Sequence, residues 1–322
     1  MSRVDEVMNQ KELFIMDGAM ATELERKGLD LNDSLWSAKV LAEQPEAIRD
    51  VHYDYFVNGA DCSTSASYQA TVAGYEAKGY SKEEAKKLIA RSMEMLLEAR
   101  EAWWEKEGKD SGRCYPLVAA SIGPYGAYLA DGSEYTGHYH CTEEEYRDFH
   151  FERMKILKEA GADIFAVETM PRLDEAVACA KMLEELECDY WISFSFSTPD
   201  RINDGTTLET VVEKLKSYPH LKFIGVNCTA PIFVEQIIRT FKSLTDIPVC
   251  AYPNRGEEYD PVTKTWKGPN DGKTYLDWAK EWYRAGASAI GGCCRTKPED
   301  IRQIYEWSKE EHPRMKKIDY KK

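Results

Sequence analysis

The sequence predicts an α/β fold, a single (β/α)₈ (TIM) barrel over residues 1–322, on three observations. Short apolar runs alternate with longer amphipathic stretches along almost the whole chain. Eight such pairs can be counted, the number that closes a barrel of parallel strands. No Gly-x-Gly-x-x-Gly turn follows the first apolar run, as an open dinucleotide-binding sheet would carry.

The eight strand candidates are 13–20, 61–67, 116–123, 163–169, 190–197, 222–228, 247–254 and 288–294. Each is followed by a helical pattern. Ser81 with Glu84, Thr142 with Glu145 and Thr296 with Glu299 have the capping-box spacing that marks a helix start. Two strand-to-helix connections are long, 124–142 and 255–272. Both follow strand C-termini, the face where barrel active sites sit, so they are expected to roof a site. The lysine-rich tail, about 313–322, is expected to fray.

Acidic residues outnumber basic ones by 56 to 42, a formal charge of -14. That balance argues against nucleic-acid or anionic-membrane partners, which call for Lys/Arg patches, and leaves small-molecule substrates, cationic ones included. No apolar run approaches the ~20 residues of a membrane span, and the N-terminus lacks a signal-peptide core. With nine cysteines and no export signal, a cytoplasmic chain of mostly free thiols is expected.

Three cysteines stand apart. Cys228 ends the sixth strand candidate, and the adjacent Cys293 and Cys294 end the eighth. Strands of one parity share side-chain layers in a barrel, so all three can meet at the mouth, with Gly291 and Gly292 giving the backbone room. Three thiolates suit Zn²⁺; a fourth protein ligand would make the site structural, a vacancy catalytic. His138 and His140, in a mouth loop, are candidates to close it. The alternative is burial as small hydrophobes, the reading preferred for the other six cysteines.

"DGAMATELERKG", "DSLWSAKVL", "GADCSTSASYQAT", "GPYGAYLADGSEYTG", "VETMP", "GVNCTAP", "YPNRGEEYD" and "IGGCCRT" together resemble the homocysteine S-methyltransferase family. The SASYQAT and YGAYLADGSEYTG stretches are similar to its bacterial branch that uses S-methylmethionine, with S-adenosylmethionine as an alternative, poorer donor. The resemblance runs from about Phe14 to Asp300 and implies a zinc-dependent barrel that methylates homocysteine to methionine. It implies Cys228, Cys293 and Cys294 as zinc ligands. It places Asp17 and Gly18 in the family's DG motif, and pairs Asp17 with Glu168 as the clamp on the homocysteine ammonium.

Trp36, nine residues before Pro45, matches a tryptophan that lies near the donor's ammonium in betaine-using relatives. Those relatives have tyrosine after the strand-four glutamate; here it is Thr169, so the donor pocket is expected to differ. Asn227 is a candidate to orient the Cys228 loop or a thiolate. Thr64, Ser65 and Ser67, and Tyr252 and Asn254, end strands and are candidates to touch substrate. Tyr125, Tyr128 and Tyr135 are candidates to roof the donor.

The implied chemistry needs one sulfur ionised and two reactants aligned. A free thiol is only a few per cent thiolate at neutral pH, and zinc coordination removes that proton. The donor sulfonium loses its charge as the methyl leaves, so no general acid is required. Two alternatives remain: a selenocysteine or selenohomocysteine methyltransferase on the same scaffold, and a non-catalytic barrel with a structural zinc. A cobalamin- or folate-linked donor is disfavoured, because the chain ends after one barrel.

Overall fold

The computed structural model describes residues 2–29, 31, 37–260, 265–267 and 272–311. Eight parallel strands form the barrel: β1 (Phe14–Ile15), β2 (Cys62–Thr64), β3 (Leu117–Ile122), β4 (Ile164–Met170), β5 (Tyr190–Phe194), β6 (Leu221–Asn227), β7 (Val249–Tyr252) and β8 (Ala287–Ile290). They are ordered β1-β8-β7-β6-β5-β4-β3-β2. A parallel bridge between Met16 and Cys62 brings β1 back to β2 and closes the ring. The eightfold expectation from the alternation holds.

Side chains alternate across each strand, and two separate cores result. Residues facing the helices join the outer core, for example Val118, Ala120 and Ile122 of β3. Residues facing the axis fill the barrel: Phe14 and Met16, Leu117 and Ala119, Ile164 and Ala166, Trp191, Phe223, Cys250 and Tyr252, and Ala289. At one end Val4 and Val7 of an N-terminal helix (Arg3–Asn9) plug this inner core. At the other end the same parity continues into polar residues, Ser121, Glu168, Ser193 and Asn227. The interior therefore turns from apolar to polar toward the strand C-termini, which is where a site can form.

β6 and β7 approach closely at Gly225, where a Cβ would lie 1.9 Å from the Cys250 carbonyl oxygen. The helices Lys82–Lys106 and Glu143–Glu159 start with the predicted Ser81/Glu84 and Thr142/Glu145 boxes. The third predicted box is corrected. The last helix, Pro298–Glu311, begins with the Lys297 N–H donating to Asp300. Thr296 is instead buried, and its hydroxyl donates to the Cys293 carbonyl while accepting from the Ala19 N–H. It ties the Cys293 turn to the end of β1.

The first long connection is folded rather than open: it holds a helix at Tyr125–Leu129 and a short turn of helix at Ser133–Tyr135. The second carries an antiparallel hairpin, Glu258–Asp260 with Thr265–Lys267. Among the described residues no helix is long and apolar enough to cross a membrane. Trp36 and residues 312–322, hence the expected frayed tail, lie outside the described residues.

Candidate active site and metal centre

A cavity of about 150 Å³ opens at the C-terminal mouth of the barrel. Its lining includes Asp17, Gly18, Thr64, Ser65, Tyr68, Ser121, Tyr135, Glu168, Thr169, Asn227, Tyr252 and the three cysteines. Among the described residues no lysine, arginine or histidine lines the cavity. Two carboxyls and three thiols without a facing cation make a pocket that favours positively charged guests.

Cys228 follows β6, and Cys293 and Cys294 follow β8. Cys228 Sγ lies 3.6 Å from Cys294 Sγ, which lies 4.0 Å from Cys293 Sγ. All three sulfurs fall within 4.8 Å of one another. Tetrahedral zinc with ~2.3 Å bonds to sulfur spaces its ligands about 3.8 Å apart, close to the 3.6 and 4.0 Å separations, so the donor set suits that ion. Hydrogen bonds from Cys228 and Cys293 hold the Cys294 thiol well below its ordinary range.

Close backbone approaches bring the turn there. A Cβ on Gly291 would sit 2.6 Å from Met16 Cβ, and one on Gly292 would sit 2.4 Å from Thr296 Oγ1. The Gly292 N–H donates to the Asp17 carbonyl and the Cys293 N–H to the Pro253 carbonyl. Three non-glycine residues at this rim adopt left-handed backbone: Thr169 (φ 61°), Cys228 (φ 48°) and Arg295 (φ 71°). Such conformations cost about 1–2 kcal/mol each, so the surrounding contacts must hold them.

Asn227 supplies one of those restraints. Its Oδ1 accepts from the Thr169 N–H and from Ser193 Oγ, both at 2.8 Å, and its Nδ2 donates to Thr169 Oγ1 at 2.7 Å. Both ends of its amide are used in joining β4 to β6, just before Cys228. That favours the loop-orienting expectation over a bond to a thiolate.

Asp17 and Glu168 face the same pocket. Asp17 accepts from Ser63 Oγ at 2.6 Å, from the Thr64 N–H at 2.8 Å and from Thr64 Oγ1. Because Ser63 donates to Asp17, it accepts from His52 Nδ1, 3.1 Å away. Burial pushes the His52 pKa down to about 3, so the ring is neutral with its proton on Nδ1. Ser121 donates to Glu168. Burial raises both carboxyls to about 7, against these hydrogen bonds, and the Asp17 charge adds to the rise at Glu168. The pocket thus holds carboxyls whose ionisation an entering cation would favour.

Several expectations are corrected. His138 and His140 are exposed, and neither belongs to the sulfur cluster. From the same connection Tyr135 reaches it instead, its hydroxyl 3.6 Å from Cys228 Sγ. Tyr125 and Tyr128 pack on Phe149 instead of lining the cavity. Ser67 donates to the Ser121 carbonyl and Asn254 lies outside the lining, whereas Thr64, Ser65 and Tyr252 line it. Ser121, His52 and Ser63 were missed. Strand parity from Leu117 and Ala119 points to Ser121; no local signal marks the His52–Ser63 pair.

The family model for homocysteine S-methyltransferase matches residues 14–308. The chain belongs to the homocysteine S-methyltransferase family. It is 48% identical over 310 residues to homocysteine S-methyltransferase YbgG of Bacillus subtilis (strain 168), covering 96% of this chain and 98% of that one. It is 44% identical to selenocysteine Se-methyltransferase of Brassica oleracea var. italica, over 91% of this chain and 88% of that one. The metallated crystal structure of the Escherichia coli homocysteine methyltransferase MmuM superposes with a TM-score of 0.86 at 42% identity, covering 95% of this chain and 99% of that one. The protein is a methyltransferase.

Proposed function

We propose that the protein is a zinc-dependent homocysteine S-methyltransferase that takes its methyl group from S-methylmethionine. One observation carries the reading: three sulfurs within 4.8 Å of one another stand at the rim of a pocket that also presents Asp17 and Glu168 and, among the described residues, no basic side chain. Cys228, Cys293 and Cys294 are the residues that would hold the ion. Zinc bound there supplies the acidity that ionises the homocysteine thiol near neutral pH.

The chain's own groups do the rest. Asp17 and Glu168 receive the homocysteine ammonium, and its positive charge returns both carboxyls to the ionised state. Ser63, Thr64 and Ser121 hold them in place by donating to them. The pocket's lack of lysine and arginine tolerates a sulfonium donor, which a facing cation would repel. The homocysteine sulfur attacks the sulfonium methyl carbon in line; the bond from that carbon to the donor sulfur breaks, and its electron pair stays on the donor. The thiol proton goes to solvent, and two molecules of methionine result. Aligning the two sulfurs about the methyl is the main task left to the protein.

A second reading, methylation of selenocysteine, is favoured by the 44% identity to a selenocysteine Se-methyltransferase. A panel of donors against homocysteine and selenocysteine, read out as methylated product with zinc-depleted enzyme as control, tests both. S-methylmethionine with homocysteine is expected to give the highest kcat/KM, abolished by zinc removal. Activity retained without metal, or a strong preference for selenocysteine, overturns the first reading.

A further inference from the structure

The turn that carries Cys293 and Cys294 is clasped from outside the barrel. Arg295, directly after the second cysteine, donates from Nε to Glu257 Oε2 at 2.9 Å. Arg255 donates from Nη1 to the other oxygen of the same carboxylate at 2.5 Å. The Arg255 N–H donates to the Cys294 carbonyl at 3.0 Å, and Arg255 Nε reaches Asp300 at 3.2 Å. One largely buried carboxylate, with its side chain 11% exposed, therefore joins two guanidiniums. One is bonded to the cysteine turn through the main chain, the other is its next residue. Glu257 also stands immediately before the hairpin Glu258–Asp260, so it fixes that loop's base to the same turn.

Arg295 is held at φ 71°, a conformation that a side chain without external restraint leaves readily. Its backbone N–H is bonded to Thr22 Oγ1, and its side chain is aimed at Glu257. Release of the guanidinium from Glu257 would remove one restraint on the residue that follows Cys294.

We propose that Glu257 is a positioning residue that locks the Cys293–Cys294 turn through Arg255 and Arg295, and so sets how slowly the metal leaves. The inference rests on the three cysteines holding zinc.

The test is the rate of zinc release from the holoenzyme into a chromogenic chelator, for the parent and for Glu257→Gln. Two effects oppose each other in this variant. If the arginines acted on the thiolates by charge alone, removing the Glu257 charge would strengthen their field and slow release. If Glu257 is a clasp, the neutral amide weakens the bridge between the two guanidiniums, and release speeds up. Loss of partners behind metal ligands commonly costs 10- to 100-fold in metal affinity, and release faster by about tenfold or more is expected. Glu257→Asp, which keeps the charge but is too short to span both arginines, is expected to speed release as well and serves if the glutamine variant does not fold. Glu143→Gln, which breaks an exposed pair with Lys181, should leave the rate unchanged. Release unchanged or slower in both Glu257 variants, or equally fast in Glu143→Gln, overturns the clasp. A parent that binds no zinc overturns the metal reading instead.

Discussion

Glu168→Gln isolates the ammonium clamp from the metal. Glutamine keeps an acceptor for the Ser121 hydroxyl, so the strand end is preserved and one negative charge is lost. A hydrogen bond to a charged group contributes about 1.5–3 kcal/mol. The homocysteine KM is then expected to rise roughly 10- to 150-fold at pH 8, with zinc content unchanged. The pH dependence gives a second, independent readout. With burial raising Asp17 and Glu168 both to about 7, cation binding must displace protons below that pH. Affinity should fall about tenfold for each unit of acidification per protonated carboxyl. Product inhibition by methionine carries the same ammonium and no thiol, so it reports the carboxyls apart from thiol ionisation. In the parent, methionine should bind progressively more weakly from pH 7.5 to pH 5.5. In Glu168→Gln the same limb should be shallower. An unchanged methionine affinity and slope would refute the clamp, and zinc loss equal to the loss of activity would place Glu168 among the metal ligands.

Two further outcomes follow from the geometry. Cys293→Ala removes one of three thiolates from a cluster that spans β6 and β8, and is expected to abolish bound zinc and methyl transfer together while far-UV circular dichroism stays that of the parent. Retained turnover would exclude the cluster as the metal centre. Gly225→Ala puts a methyl 1.9 Å from the Cys250 carbonyl oxygen, where two strands would have to separate. It is expected to lower stability by about 3 kcal/mol or more, read by denaturant unfolding. Gly79→Ala, at φ 92° with nothing within 4 Å of the new Cβ, should cost only the backbone strain of about 1–2 kcal/mol; equal losses would contradict the packing argument.

Which parts of the site were legible follows from the range of the interactions behind them. Glu168 was legible through the family resemblance, and the strand explains it: Ile164, Ala166 and Glu168 share one face and the third of them reaches the mouth. Cys228 and Cys293–Cys294 could be paired because strand number fixes their place around the ring. The capping role assigned to Thr296 failed because a local signature met a stronger tertiary demand: the hydroxyl is buried against the Cys293 turn and the end of β1. His138 and His140 were candidates by loop membership alone, and loop membership does not say which side chain faces inward. The folded connection turns Tyr135 toward Cys228 and both histidines toward solvent.

By itself the sequence determined the barrel, the inner and outer faces of its strands, the sulfur cluster and the mouth as the place of chemistry. Each of these rests on periods of two and 3.6 residues and on the order of eight units, which are properties of neighbouring residues. Only the tertiary structure decided the His52–Ser63–Asp17 chain, the bracing of Thr169 by Asn227 and the joining of Arg255 and Arg295 through Glu257. These contacts join groups on different segments of the ring and its loops. Their partners are selected by how backbone turns aim side chains across space, which no repeat along the chain records.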